Sequence, residues 1–144
     1  MTLSLDGPIL VPVANPDDGE RTATALAPYL SETSRVILVN VIEKGGGAPD
    51  KAGVEQREEY AEEIFERALE PLEATTTDAT VETAVCYGTD IVERIFAEAR
   101  DRDVDAVVFT ARESNRLAEL LTGDVARRMV KEASVPVVAL PHDS

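Results

Sequence analysis

The sequence predicts an α/β domain: one open, parallel, five-stranded sheet with helices on both faces. Three observations predict it. Apolar runs of strand length alternate with amphipathic stretches of helix length along all 144 residues. The resulting order, β-α-β-α-β-α-β-α-β, joins each strand to the next by a helical crossover, and such crossovers are right-handed. The second run is apolar almost throughout, as a strand covered on both faces must be. The length and the 44% hydrophobic content suit one domain, 1–144, with a sizeable core.

The elements follow in order. "GPILVPVAN" (7–15) is apolar with turn residues on both sides and reads as the first strand. "PDDGERTATALAPYLSE" (16–32) is a helix, with Asp17 or Asp18 expected at its N-cap and Ala23, Leu26, Ala27 and Leu30 at helical spacing. "SRVILVNVIE" (34–43) is the second strand. "KGGGAPDKAG" (44–53), with its glycines and proline, reads as a surface loop. "VEQREEYAEEIFERALEPLEA" (54–74) is a helix. Val54, Ala61, Ile64, Phe65, Ala68 and Leu72 form its apolar stripe, and Pro71 is expected to end or kink it near Glu70.

"ATVETAVCYG" (79–88) alternates at first, as a strand near a sheet edge does. "TDIVERIFAEARDRD" (89–103) is a helix in which Asp90 and Glu93 have capping-box spacing. "VDAVVFTA" (104–111) is a buried strand. "DVARRMVKEAS" (124–134) is the last helix and "VPVVALP" (135–141) the last strand.

Charge narrows the function classes. Asp plus Glu is 28, Lys plus Arg is 14, and the net charge is −14. A field of that sign repels nucleic acid and anionic membranes. Only Lys44, Lys51 and Lys131 are lysines. An acid-rich, lysine-poor surface is expected of a protein adapted to high salt. No run is long enough to span a bilayer and Met1–Asp6 is not a signal peptide, so a cytoplasmic location without membrane insertion is expected.

Several stretches together resemble the universal stress protein domain. "ILVPVANPDDGERTATAL" is similar to that family's opening strand, turn and helix. "CYGTDIVERIFAEARDRDVDAVVFTA" resembles its third helix and fourth strand. "LAELLTGDVARRMVKEASVPVVAL" resembles its closing motif, with Gly123, Val125, Ala126 and Pro136 in register. The acidic composition points to a haloarchaeal-like version. The resemblance implies a Rossmann-like sheet of order 3-2-1-4-5 and a homodimer. Val135, Pro136, Val137, Val138, Ala139 and Leu140 would form the pairing edge.

That strand order reverses between strands 1 and 4, and open α/β sheets bind ligands at such a point. The expected crevice is lined by Val13, Ala14 and Asn15, by Val41 and Ile42, and by Thr110 to Asp124 with Val125 following. Members of the family that bind ATP carry Gly-x-x-Gly-x9-Gly-Ser/Thr after strand 4 and an Asp closing strand 1. Counted back from Gly123, these positions hold Thr110, Glu113, Gly123 and Asp124, with Ala14 in place of the strand-1 Asp. Glycines let backbone N–H groups reach phosphate oxygens, and side chains there obstruct them. The Asp124 carboxylate, where the helix begins, would take the N–H groups that a phosphate needs. Arg112 and Arg116 favour an anion, AMP or ATP in an alternative reading.

No catalytic or metal constellation is expected. His142 is the only histidine, Cys86 lies in an apolar strand, and Ser114 and Ser134 have no partner base. The sequence therefore reads as a regulatory or interaction domain, not an enzyme, without a bound nucleotide. "VPVAN", lacking the strand-1 Asp, also resembles domains attached to membrane transporters, so a regulatory protein or a transporter is an expected partner.

Overall fold

A computed structural model describes residues 5–43, 51–74, 78–110 and 123–141, without the side chains of 51, 52, 54, 123 and 124. Five parallel strands form one sheet: β1 (Gly7–Pro12), β2 (Ser34–Glu43), β3 (Thr80–Gly88), β4 (Ala106–Thr110) and β5 (Val137–Leu140). Their order is β3-β2-β1-β4-β5. The helices are α1 (Pro16–Leu26), continued by a short 3-10 turn at Ala27–Tyr29, α2 (Lys51–Glu73), α3 (Ile91–Asp101) and α4 (Gly123–Lys131).

The side-chain alternation of the strands builds two cores. Val36 and Leu38 of β2 join Ile9, Val11 and Val108 beneath α1 and α2. Ile37 and Val39 join Leu10, Val107 and Phe109 beneath α3 and α4. Of the expected apolar stripe of α2, Ala61, Ile64, Phe65, Ala68 and Leu72 are all buried, and the Val54 side chain lies outside the described residues. Gly19 lets α1 approach α2 closely: a Cβ there would lie 3.1 Å from the Ile64 carbonyl oxygen.

The boundaries correct several expectations. The first strand ends at Pro12 rather than 15, although Val13 N–H still bonds the Val39 carbonyl at 2.9 Å. The N-cap of α1 is Asn15, not Asp17 or Asp18, because Pro16 occupies the first helical position, where its missing N–H costs nothing. This helix stops short of 32. Helix α2 starts at Lys51, so the tail of the expected 44–53 loop is helical. Nor does Pro71 end α2 near Glu70. The helix continues to Glu73, and Ala74 N–H bonds the Glu70 carbonyl at 3.1 Å. A proline near a helix C-terminus removes one donor while the turns before it stay intact. Strand β5 begins at Val137. Pro136 precedes it and accepts Val107 N–H at 2.9 Å.

Strand β3 is an edge, as its alternation predicts. Glu82 on it bonds Arg35 of β2 at 2.8 Å and lies 3.7 Å from Arg102. Arg102 and Arg94 in turn both pair with Glu98 of α3. Burial pushes the Glu98 carboxyl upward, but these two guanidinium groups outweigh it and hold the carboxyl below its usual range.

Candidate functional site

The chain changes direction across the sheet between β1 and β4, and their carboxyl ends define the crevice. Asn15 and Asp18 organise its floor. The Asn15 side chain accepts Asp18 N–H at 2.8 Å, and the Asp18 carboxylate reaches back to accept Ala14 N–H at 2.8 Å. This is a reciprocal helix cap, shifted by one residue at its outer end. Asp18 has no solvent exposure. Its signal in the sequence is the Asn-x-x-Asp spacing of "NPDD", which the expected N-cap at 17 or 18 overlooked.

Two hydroxyls close the space beside this carboxylate. Thr22 of α1 and Thr110 of β4, both fully buried, share a hydrogen bond of 2.9 Å. Thr22 Oγ1 is 3.5 Å from Asp18 Oδ1. Arg21 Nη1 stands 3.7 Å from the same oxygen and is buried without a hydrogen-bond partner among the described residues. Asp18, Thr22 and Thr110 thus fill the inner crevice, and none of the three is open to solvent.

The expected site residues separate into four groups. Ala14, Asn15, Val41 and Thr110 lie at the strand ends as anticipated. Val13 does not line the crevice with its side chain, because it is fully buried in the core under α1 and α2. Val125 is half-buried and packs against the other core. Arg112, Glu113 and Arg116 lie outside the described residues. Helix α4 starts at Gly123, which puts Asp124 inside the first turn rather than at the cap.

Among the described residues, the outer crevice is not filled. A groove of about 320 Å³ lies at the ends of β1 and β2 against α2, lined by Ala14, Asn40, Val41, Ile42, Glu43, Arg57 and Tyr60. Asn40 is 7% exposed, and its Nδ2 donates to the Val13 carbonyl at 2.8 Å. Arg57 Nη1 donates to the Glu43 carbonyl at 2.8 Å. Asn40, Arg57 and Tyr60 were missed as site residues. Arg57 and Tyr60 sit in a glutamate-rich helix that reads as a solvated face, so only the tertiary packing brings them to the strand ends.

A larger depression of about 550 Å³ lies on the outer side of α1, away from the crevice. Its Arg67 already bonds Asp17 at 3.0 Å and also pairs with Glu20, so this surface reads as an α1–α2 tie.

Burial pushes the Cys86 thiol up to about 11, far from a reactive thiolate. Among the described residues, no group of three or more His, Cys, Asp or Glu could hold a metal ion. No helix among them is long and apolar enough to cross a membrane.

Comparison with known proteins agrees with the fold. The profile of the Universal stress protein family matches residues 7–141. No curated protein sequence matches the chain. Among solved structures, the chain is similar to UspA from Lactobacillus plantarum, at a TM-score of 0.71 and 16% identity over 95% of this chain and 99% of that one. It is similar to a universal stress protein from Archaeoglobus fulgidus, at 0.60 and 22% identity over 94% and 99%. The Archaeoglobus fulgidus protein in complex with dAMP matches at 0.63 and 20% identity over 94% and 98%.

Proposed function

The chain belongs to the universal stress protein family, and from that premise we propose that it is a non-catalytic regulatory domain whose crevice does not hold a nucleoside triphosphate. One observation carries this reading. The fully buried Asp18 carboxylate is bonded to Ala14 N–H at the head of the crevice. A phosphate brought within about 4 Å of that carboxylate would be repelled by ~4 kcal/mol at an effective dielectric near 20. That is a factor of roughly a thousand in affinity. The Thr22–Thr110 bond supports the same reading, because it fills the gap between α1 and β4. So does the loss of family glycines at Thr110 and Glu113.

The Archaeoglobus fulgidus neighbour was solved with dAMP, so the same fold can carry a nucleotide, and the question for this chain is decided by its own residues. Calorimetric titration with Mg-ATP and with AMP tests it. The expected result is no saturable heat. Low-micromolar binding of either nucleotide would overturn the reading.

We also propose that the domain acts as a homodimer joined at β5. Support comes from the position of that strand at a sheet edge and from its apolar sequence. A regulatory protein or a transporter is the partner class that the missing strand-1 Asp favours.

A further inference from the structure

We propose that the outer crevice is a binding site for a small planar carboxylate, an aromatic acid of one ring, held by Arg57 and Tyr60. The proposal rests on the reading that Asp18 and the threonine pair close the phosphate half of the crevice. It concerns the half that stays open.

Arg57 is the first observation. In a chain with 28 acids and 14 bases, a guanidinium finds a carboxylate easily. Arg35, Arg67, Arg94, Arg102 and Arg128 each have one within 4 Å. Arg57 has none among the described residues, although it stands on a helix crowded with glutamates. Its Nη1 is fixed on the Glu43 backbone carbonyl, which leaves the other donors of the planar fork for something else. A guanidinium anchored at one corner is preorganised for a carboxylate.

The neighbours define the rest of the ligand. Tyr60 lies one helical turn on from Arg57, is 46% exposed and lines the same groove, so its ring stands beside a group that Arg57 would hold. Asn40, nearly buried, lines the groove and spends its amide nitrogen on the Val13 carbonyl, which leaves its Oδ1 as an acceptor. This acceptor suits a ring hydroxyl or N–H donor. The volume of about 320 Å³ is at the small end of the roughly 300–1,000 Å³ typical of ligand sites, which admits one ring and excludes a nucleotide. Glu43 on the rim and the net charge oppose an anion at low ionic strength. Molar KCl screens that opposition over about 3 Å.

The test is a titration of isotope-labelled full chain in molar KCl, followed by amide chemical shifts. The probe is benzoate, with benzyl alcohol as the uncharged analogue of the same shape. Saturable shifts at Asn40, Glu43, Arg57 and Tyr60 are expected at millimolar benzoate. Benzyl alcohol should bind about tenfold or more weakly, since a hydrogen bond to a charged group contributes that much. Arg57→Gln should weaken benzoate by a similar factor and leave benzyl alcohol unchanged. Tyr60→Leu should weaken both. Both positions are exposed, and unchanged melting would show that the variants fold. Equal binding of the two probes, retention of benzoate by Arg57→Gln, or no saturation would each overturn the proposal. Binding of Mg-ATP in the separate calorimetric test would instead strike the closed-crevice reading beneath it.

Discussion

Thr22 in α1 and Thr110 at the end of β4 share a 2.9 Å hydrogen bond, and neither residue has any solvent exposure. Removing one partner leaves a buried hydroxyl unsatisfied, which costs about 1–3 kcal/mol, whereas replacing both with similar apolar shapes is nearly neutral. Thr22→Val should therefore destabilise the fold by about that amount, and Thr110→Val by less, because Thr22 Oγ1 keeps Asp18 Oδ1 at 3.5 Å. The double variant should recover most of the loss. Denaturant unfolding of the four proteins checks this, and additive losses would mean that the two hydroxyls act independently.

Asp90 gives a pH signature. It caps α3 through Glu93 N–H at 3.1 Å and takes Arg128 of α4 at 2.9 Å. The Glu93 N–H first, then Arg128, hold its carboxyl below the usual range. A depressed acid contributes stability that is present above its unfolded pKa, near 3.9, and lost as pH falls through the folded value. Asp90→Asn keeps the cap and removes the charge. Its melting temperature should lie below wild type above about pH 4, and the two curves should converge in stronger acid. Because the pair is partly exposed, the gap should correspond to about 0.2–1 kcal/mol.

Cys86 should be silent in the native state. It is 3% exposed, and burial raises its thiol pKa to about 11. An alkylating reagent near pH 8.5, the ordinary thiol pKa, should label it only on unfolding. Native labelling at a free-thiol rate would refute the buried placement.

Stability should rise with salt. Glu55, Glu59, Glu62, Glu63 and Glu66 all lie exposed along α2, and like charges one turn apart repel. The screening length falls from ~10 Å at 0.1 M to ~3 Å at 1 M, shorter than their spacing of roughly 5–6 Å. Melting temperature at pH 7 should climb between those concentrations of KCl. A flat or falling curve would count against the high-salt reading of the composition.

Dimerisation has its own probe. Leu140 is 3% exposed and belongs to the core, so a charge there would disturb folding itself. Ala139 is exposed on the same strand. Ala139→Lys sets like charges against each other across a two-fold axis. The variant should be monomeric by light scattering while melting as a folded protein. A wild type already monomeric at high concentration would remove the β5 dimer.

Much of the fold was legible because apolar periodicity is a strong signal in long elements. The bounds of β2 and the buried stripe of α2 were both readable from spacing alone. The ends were less so, since they depend on which residue caps. Asn15 rather than Asp17 or Asp18 begins α1 because Pro16 fixes the register. The site was half legible. Thr110 could be placed by counting from Gly123, but its tie to Thr22 joins residues 88 positions apart. Arg57 looked like one more charge on a solvated face, and only the closeness of α2 to the β2 end gives it a setting.

The ion pairs of Glu82 bear on how large an assembly of this protein could grow. A sheet with two receptive edges can add copies without limit. Here β3 carries Glu82 with Arg35 and Arg102 beside it, and such charges discourage another strand from pairing. The opposite edge is the four-residue β5. With one edge of the sheet blunted and the other short, pairing through β5 would use up the receptive edge, and an assembly built that way would stop at a closed pair instead of running on into a fibre.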